Sequence, residues 1–94
     1  MWTVLEATAA SKALDRMPKG IVRKWNAWVA IVRQSGPEGL RLIKGYHDEA
    51  LSGKWRGHRS SRLGDRERII YQVRRQVLEV EVIEITGQHD YRKR

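Results

Sequence analysis

The sequence predicts a small α+β domain: a twisted, mostly antiparallel sheet with two N-terminal helices packed on one face, in the order β-α-α-β-β-β. Three observations predict it. Two stretches with helical spacing, one from Thr8 and one from Ile21, follow each other early in the chain. Segments rich in Val, Ile and Tyr fill the second half. At 94 residues, with no internal repeat or low-complexity segment, the whole chain is expected to form a single domain, 1–94.

The elements follow in order. Trp2 to Glu6 alternates weakly and holds good strand formers, so it reads as a first strand. Ala10, Ala13, Leu14 and Met17 then recur at helical spacing, with Thr8 as the expected N-cap. Pro18 ends that helix and can begin the next. Ile21, Trp25, Trp28, Val29 and Val32 form one stripe, and the paired Trp residues read as core. Ser35-Gly36-Pro37 is a stop signal. From Pro37 to Gly53 the glycines break any long element; Leu40, Leu42 and Ile43 are expected to form a short turn packed on the core. The same region can carry His47, Asp48 and Glu49 toward a site.

Gly57–Leu63 is a polar candidate strand and Arg68–Val73 a better one. Arg74-Arg75-Gln76 reads as a hairpin connection, and Val77–Ile85 as the strongest strand. Val80 and Val82 share one face, whereas Ile83 and Ile85 fall on the opposite phase. Either the strand is buried on both faces or a bulge resets it. Gly87 ends it, and residues 88–94 form a basic terminal segment.

Composition narrows the function. The 19 Lys and Arg outweigh 11 Asp and Glu, for a net charge of +8. The window Lys54–Arg75 holds eight cations and two acids, a local +6. The run begins near Trp55, is punctuated by glycines and ends in Ile69-Ile70-Tyr71, so it is expected to be ordered backbone. The natural partner of fixed, clustered guanidinium groups is phosphate. With no cysteine there is neither a disulfide nor a thiolate metal site. No apolar run reaches the ~18 residues of a membrane span, and the N-terminus lacks the features of a signal peptide, so a cytoplasmic location without membrane contact is expected.

His47, His58 and His89 are widely separated and fall in no metal-binding spacing, so neither metal nor other cofactor is expected. No nucleophile elbow or Gly-rich phosphate loop is present. A basic sheet face with His and Tyr near its edge can cleave RNA without metal. That reaction needs a base for the 2′-OH proton, an acid for the leaving 5′ oxygen, and cations for the charge on the phosphorane. These residues alone leave cleavage and plain nucleic-acid binding both open.

The pattern Leu51, Gly53, Trp55, Gly57, Arg59, then Arg68-Ile69-Ile70-Tyr71, followed by a Val-rich last strand and His89-Asp90-Tyr91, resembles bacterial toxins of the RelE/ParE superfamily. The likeness is greatest to the RelE-like and YafQ-like mRNA interferases. It implies a ribosome-dependent endoribonuclease that cuts mRNA in the ribosomal A site, touches 16S rRNA, and is neutralised by a cognate antitoxin. On this resemblance His89 falls where YafQ-like members use a proton-transferring His, and Tyr91 where an aromatic orients the message. Arg59, Arg62 and Arg66 are candidates for phosphate stabilisation, with Arg62 the first choice. Lys54 lies in the loop where RelE-like members carry a catalytic Lys. Arg56, Arg68, His58 and His47 complete the expected RNA-binding set. Arg68 is alternatively placed to pair with Glu79 or Glu81 across the hairpin. The chain departs from the YafQ-like pattern: Arg62 and Arg66 stand where a His and an Asp are expected, and Glu49 where an earlier His would be. The second proton-transfer role is therefore open among His47, His58, Glu49 and Lys54.

Two other functions fit the same features. One is a ParE-like inhibitor of DNA gyrase, which has no evident chemical use for His89 and Tyr91. The other is a non-catalytic nucleic-acid-binding module, whose affinity would fall steeply with salt.

Overall fold

A computed structural model describes residues 1–87. It contains a five-stranded sheet and two α-helices, an α+β fold, as expected. The strands are β1 (Thr3–Glu6), β2 (Glu49–Ala50), β3 (Arg59–Arg62), β4 (Arg68–Arg74) and β5 (Glu79–Thr86). Their order across the sheet is β1-β5-β4-β3-β2. Neighbours from β5 to β2 are antiparallel, and β1 runs parallel to β5 with Val4 opposite Val80. No helix among the described residues is long and apolar enough to cross a membrane.

Helix α1 (Thr8–Leu14) packs on β5, and α2 (Lys19–Ser35) lies along β1 and the 3₁₀ turn Pro37–Leu42. The N-cap of α1 is Ala7, not Thr8. The Ala7 N–H still donates to Val82 O at 2.9 Å, so sheet pairing holds Ala7 extended and makes it the last residue outside the helix. α1 also ends before Pro18. Arg16 and Met17 donate to the carbonyls three residues back, tightening the last turn. Pro18, with ψ 157°, then caps α2. At the far end Gly36 takes φ 75°, and a Cβ there would lie 2.6 Å from Trp2 Nε1. Both the left-handed backbone and the indole require glycine.

The core forms where α2 meets β4. Trp25 and Trp28 are buried at 5% and 0% exposure, as their stripe predicts. Their rings stack at 5.6 Å, and Trp28 meets Tyr71 edge-on at 5.3 Å. Leu40 joins this core, but Leu42 and Ile43 do not: they are 85% and 43% exposed. The 3₁₀ turn aims only one of the three inward.

Two corrections and one resolved alternative concern the second half. The segment read as a loop before Gly53 contains β2, which pairs Glu49 with Ser60 and Ala50 with Arg59. The last strand begins at Glu79 rather than Val77. Arg74 pairs with Glu79, which leaves Arg75–Val77 as a 3₁₀ turn and Leu78 left-handed at φ 52°. The phase change in β5 is a bulge: Ile70 faces Glu84 while Tyr71 faces Val82, so Ile83 is the extra residue. Ile85 thereby returns to the buried face with Val80 and Val82.

Candidate nucleic-acid interface

β3 reads Arg-Ser-Ser-Arg, and pleating sends alternate residues to opposite faces. Arg59 and Ser61 share the core side with their partners Tyr71 and Ile69. Ser60 and Arg62 share the opposite side of the sheet with Ile70 and Arg68, where Ser60 and Ile70 are buried and the two arginines half-buried.

On the core side the three polar groups of Arg59, Ser61 and Tyr71 converge on one carboxylate. Asp48 has no side-chain exposure. It accepts from Arg59 Nε at 2.8 Å, from Ser61 Oγ at 2.6 Å and from Tyr71 Oη at 2.5 Å. Burial pushes the Tyr71 hydroxyl well above its ordinary value, and the hydrogen bond to Asp48 pushes it further. Burial alone would lower the Arg59 guanidinium; the Asp48 carboxylate outweighs it and raises it. A polar strand is thus tolerated at the edge of the core because an acid from the preceding loop satisfies it. Sequence reasoning placed Asp48 near a site but missed this role. The readable signal was the Ser-Ser between two arginines, a polar strand that needs a buried partner. His47, next to Asp48, is exposed and left-handed at φ 45°.

On the side away from Asp48, Arg62 lies directly opposite Arg68. Like charges directly opposed in a sheet repel. Moreover, Arg62 Nε and Arg68 Nη1 are buried and find no acceptor among the described residues. Unmade buried donors each cost on the order of 1–3 kcal/mol, more for charged groups. Two such groups side by side form a ready site for an anion. Arg68 does not pair with Glu79 or Glu81, because the register sets it opposite Thr86 at the other end of the hairpin. Arg74 takes that role, bonding Glu81 and lying 3.7 Å from Glu79.

The remaining predicted residues lie at both ends of β3. Lys54 sits in the 3₁₀ turn Gly53–Trp55, with Arg56 just after it, and both are exposed. Trp55 meets His58 edge-on at 5.2 Å, and His58 Nδ1 is buried with no partner. The Leu51 N–H donates to His58 O, which closes this loop. Arg66 lies in the β3–β4 connection, whose backbone is packed against Gly87: a Cβ on Gly87 would meet Arg66 O at 3.0 Å. Strand β5 therefore ends beside the basic turn. His89 and Tyr91 lie outside the described residues.

Comparison with solved structures places this architecture. The RelE–RelB complex from Pyrococcus horikoshii matches with a TM-score of 0.73, over 93% of this chain and 94% of that chain, at 23% identity. The fold is that of the RelE/ParE toxins. YafQ from Escherichia coli gives 0.72 over 97% and 98%, at 16% identity. The YoeB–YefM complex from Staphylococcus aureus gives 0.71 over 93% and 97%, at 17% identity. No protein-family model and no curated protein sequence matches the chain.

Proposed function

We propose that this RelE/ParE-like chain is a toxin of a toxin–antitoxin pair that acts in the cytoplasm, cleaving mRNA in the ribosomal A site without a metal ion. The observation that carries the reading is the opposed pair Arg62 and Arg68, whose buried donors have no partner among the described residues, on the face of the sheet away from Asp48. The +8 net charge and the cations of the Lys54–Arg68 run support it by favouring a polyanionic partner. Other toxins of this fold were solved in complex with a second chain, RelB or YefM, which supports a cognate antitoxin here.

In the proposed reaction a base removes the proton from a ribose 2′-OH. The 2′ oxygen attacks the adjacent phosphorus, and the bond to the 5′ oxygen breaks. An acid returns a proton to that leaving oxygen. The products are a 2′,3′-cyclic phosphate and a free 5′-OH. Arg62 and Arg68 neutralise the charge that builds on the non-bridging oxygens, which is the largest single term in such catalysis. His89 serves as acid or base, and Tyr91 orients the message. Lys54 adds charge, and the second proton-transfer role falls to Lys54, His47, His58 or Glu49. Arg56 and Arg66 hold the RNA backbone, while Arg59 is engaged through its Nε by Asp48 on the core side.

The test is primer extension on an mRNA translated in a ribosome-containing extract, with wild-type protein, His89→Ala and Arg62→Ala. Wild type is expected to cut within codons. Arg62→Ala is expected to slow cutting by roughly 10²–10³-fold, as for loss of one preorganised donor. Intact mRNA with wild-type protein would overturn the reading. Cutting that survives His89→Ala would move proton transfer to His47, His58, Glu49 or Lys54.

A further inference from the structure

We propose that the free edge of β1 pairs, antiparallel and across a two-fold axis, with β1 of a second copy of this chain. The strand order leaves β1 with a neighbour on one side only among the described residues. The Thr3 N–H donates to Leu78 O and the Ala7 N–H to Val82 O, so the odd-numbered residues face β5. By alternation the N–H and C=O groups of Val4 and Glu6 point away from the sheet, with no strand beside them. The opposite edge, β2, is blunted by being two residues long. β1 has no comparable device: Thr3–Glu6 holds no proline, no lysine and no break in register.

Length and charge both select a second copy over a longer strand. The Trp2 N–H donates to Arg33 O at 3.0 Å, so the end of α2 closes the edge before Val4, and α1 begins at Thr8 beyond it. The stretch left open is Val4 to Glu6, which fits its own length. Setting Val4 against Glu6 of the second copy puts the two Leu5 residues side by side on the axis. Each Val4 and Glu6 then exchanges both backbone bonds with its opposite number. Leu5, 40% exposed, gains an apolar neighbour with Cβ atoms about 4.5–5.5 Å apart. On the other face Val4, Glu6, Val29 and Arg33 line one groove of about 330 Å³ between β1 and α2. Glu6 and Arg33 are exposed, and Arg33 makes no ion pair among the described residues. In this register Glu6 of the second copy lies beside Val4, toward the end of the groove where α2 finishes and Arg33 sits. The two-fold repeats that contact with the roles exchanged, which is the self-complementarity an isologous interface needs. One Glu6 oxygen accepts from Ser11 Oγ at 2.7 Å, leaving the other for the guanidinium. The net charge of +8 does not oppose this edge strongly. The basic β3 lies three strand spacings away, roughly 14 Å, beyond the Debye length of about 8 Å at physiological salt.

The experiment is sedimentation of the full chain over a wide range of concentration, with amide hydrogen exchange read by NMR, on wild type, Leu5→Lys, Glu6→Arg and Arg33→Glu. Wild type is expected to show a mass that rises toward twice that of one chain, as a weak dimer whose interface lies below about 1,200 Å². The Val4 and Glu6 amides should exchange more slowly as the paired fraction grows. Leu5→Lys sets like charges face to face on the axis and should leave only monomer. Glu6→Arg and Arg33→Glu should each be monomeric alone. Their equimolar mixture should pair again, because both charge contacts across the mixed interface are of opposite sign. All three positions are exposed, so unchanged circular dichroism is expected and separates lost pairing from lost folding. A monomer at every concentration, with Val4 and Glu6 amides exchanging freely, would overturn the proposal and leave this edge to a strand of another protein. A dimer that survives Leu5→Lys would move the contact to another surface. Single variants that mixing does not rescue would overturn the two-fold register.

Discussion

Replacing Asp48 with Ala should be among the most destabilising single changes in the molecule. The carboxylate is fully buried and takes three hydrogen bonds, one from a guanidinium. Removing one partner of a buried ion pair costs about 3–5 kcal/mol, because the other charge is left uncompensated. The Arg59 side chain keeps 21% exposure, so water recovers part of that, and the low end of about 3 kcal/mol applies. Ser61 and Tyr71 also lose their acceptor. A domain of this size has roughly 5–15 kcal/mol in total. The loss should lower Tm by about 12–24 °C, given about 4–8 °C per kcal/mol for small domains. Urea unfolding followed by tryptophan fluorescence gives the free energy directly, since Trp28 packs on Tyr71. A double-mutant cycle with Arg59→Met should return a coupling above about 1 kcal/mol, as for neighbours in one network. A loss below 1 kcal/mol for Asp48→Ala, at unchanged slope in urea, would refute the reasoning.

Tyr71→Phe tests the same network through pH. The folded-state value of Tyr71 is raised by burial first and Asp48 second, so its contribution is fully present below the unfolded value near ~10. Above that the unfolded chain releases a proton that the folded chain keeps, and stability falls by about 1.4 kcal/mol per pH unit. The advantage of wild type over Tyr71→Phe should therefore be constant to about pH 9.5 and shrink above 10. Tyr46, also raised by burial, is present in both proteins and cancels; parallel stability curves up to pH 11.5 would contradict the assignment. Gly36→Ala should cost about 1–3 kcal/mol from positive φ, and more from the approach to Trp2, read as a lower Tm with a shifted Trp2 indole signal. Arg74→Ala should leave Tm nearly unchanged despite its two acidic neighbours, because the pair is solvent-screened; calorimetry showing a clear drop would mean this face is drier than the exposure of Arg74 indicates.

Regular periodicity was readable because it reports a face. The α2 stripe identified Trp25, Trp28 and Val32 as core, and all three are buried. The phase slip at Ile83 left two outcomes, burial on both faces or a bulge, and the register shows the bulge. What escaped the sequence was settled by partners distant along the chain. β2 is two residues long and exists only because β3 lies beside it. Thr8 looked like a cap, but the bond from Ala7 to Val82 decided where the helix began. Leu42 and Ile43 looked like core because they are apolar, yet a 3₁₀ turn presents one side and Leu40 occupies it.

The basic run shows the same division most clearly. Counted along the sequence, Arg59 and Arg62 are equal members of one cationic stretch. In the sheet they are three positions apart and so point to opposite faces. Arg59 is held by Asp48 through Nε on the core side, whereas Arg62 faces Arg68 on the other side with a donor that has no partner among the described residues. Linear charge density therefore overstates the surface offered to RNA, and the excess charge that matters is the part the fold leaves without an acid. A phosphate-binding residue is recognised less by its neighbours in sequence than by an unfavourable like-charge contact that the protein does not relieve. By that criterion the proposed site centres on Arg62 and Arg68, and not on the whole Lys54–Arg75 window. Neutralising Arg59 should lower stability before it lowers RNA affinity, and neutralising Arg68 should do the opposite. Urea unfolding alongside salt-dependent RNA binding for Arg59→Gln and Arg68→Gln separates the two; equal loss of affinity in both would return the site to an undivided basic surface.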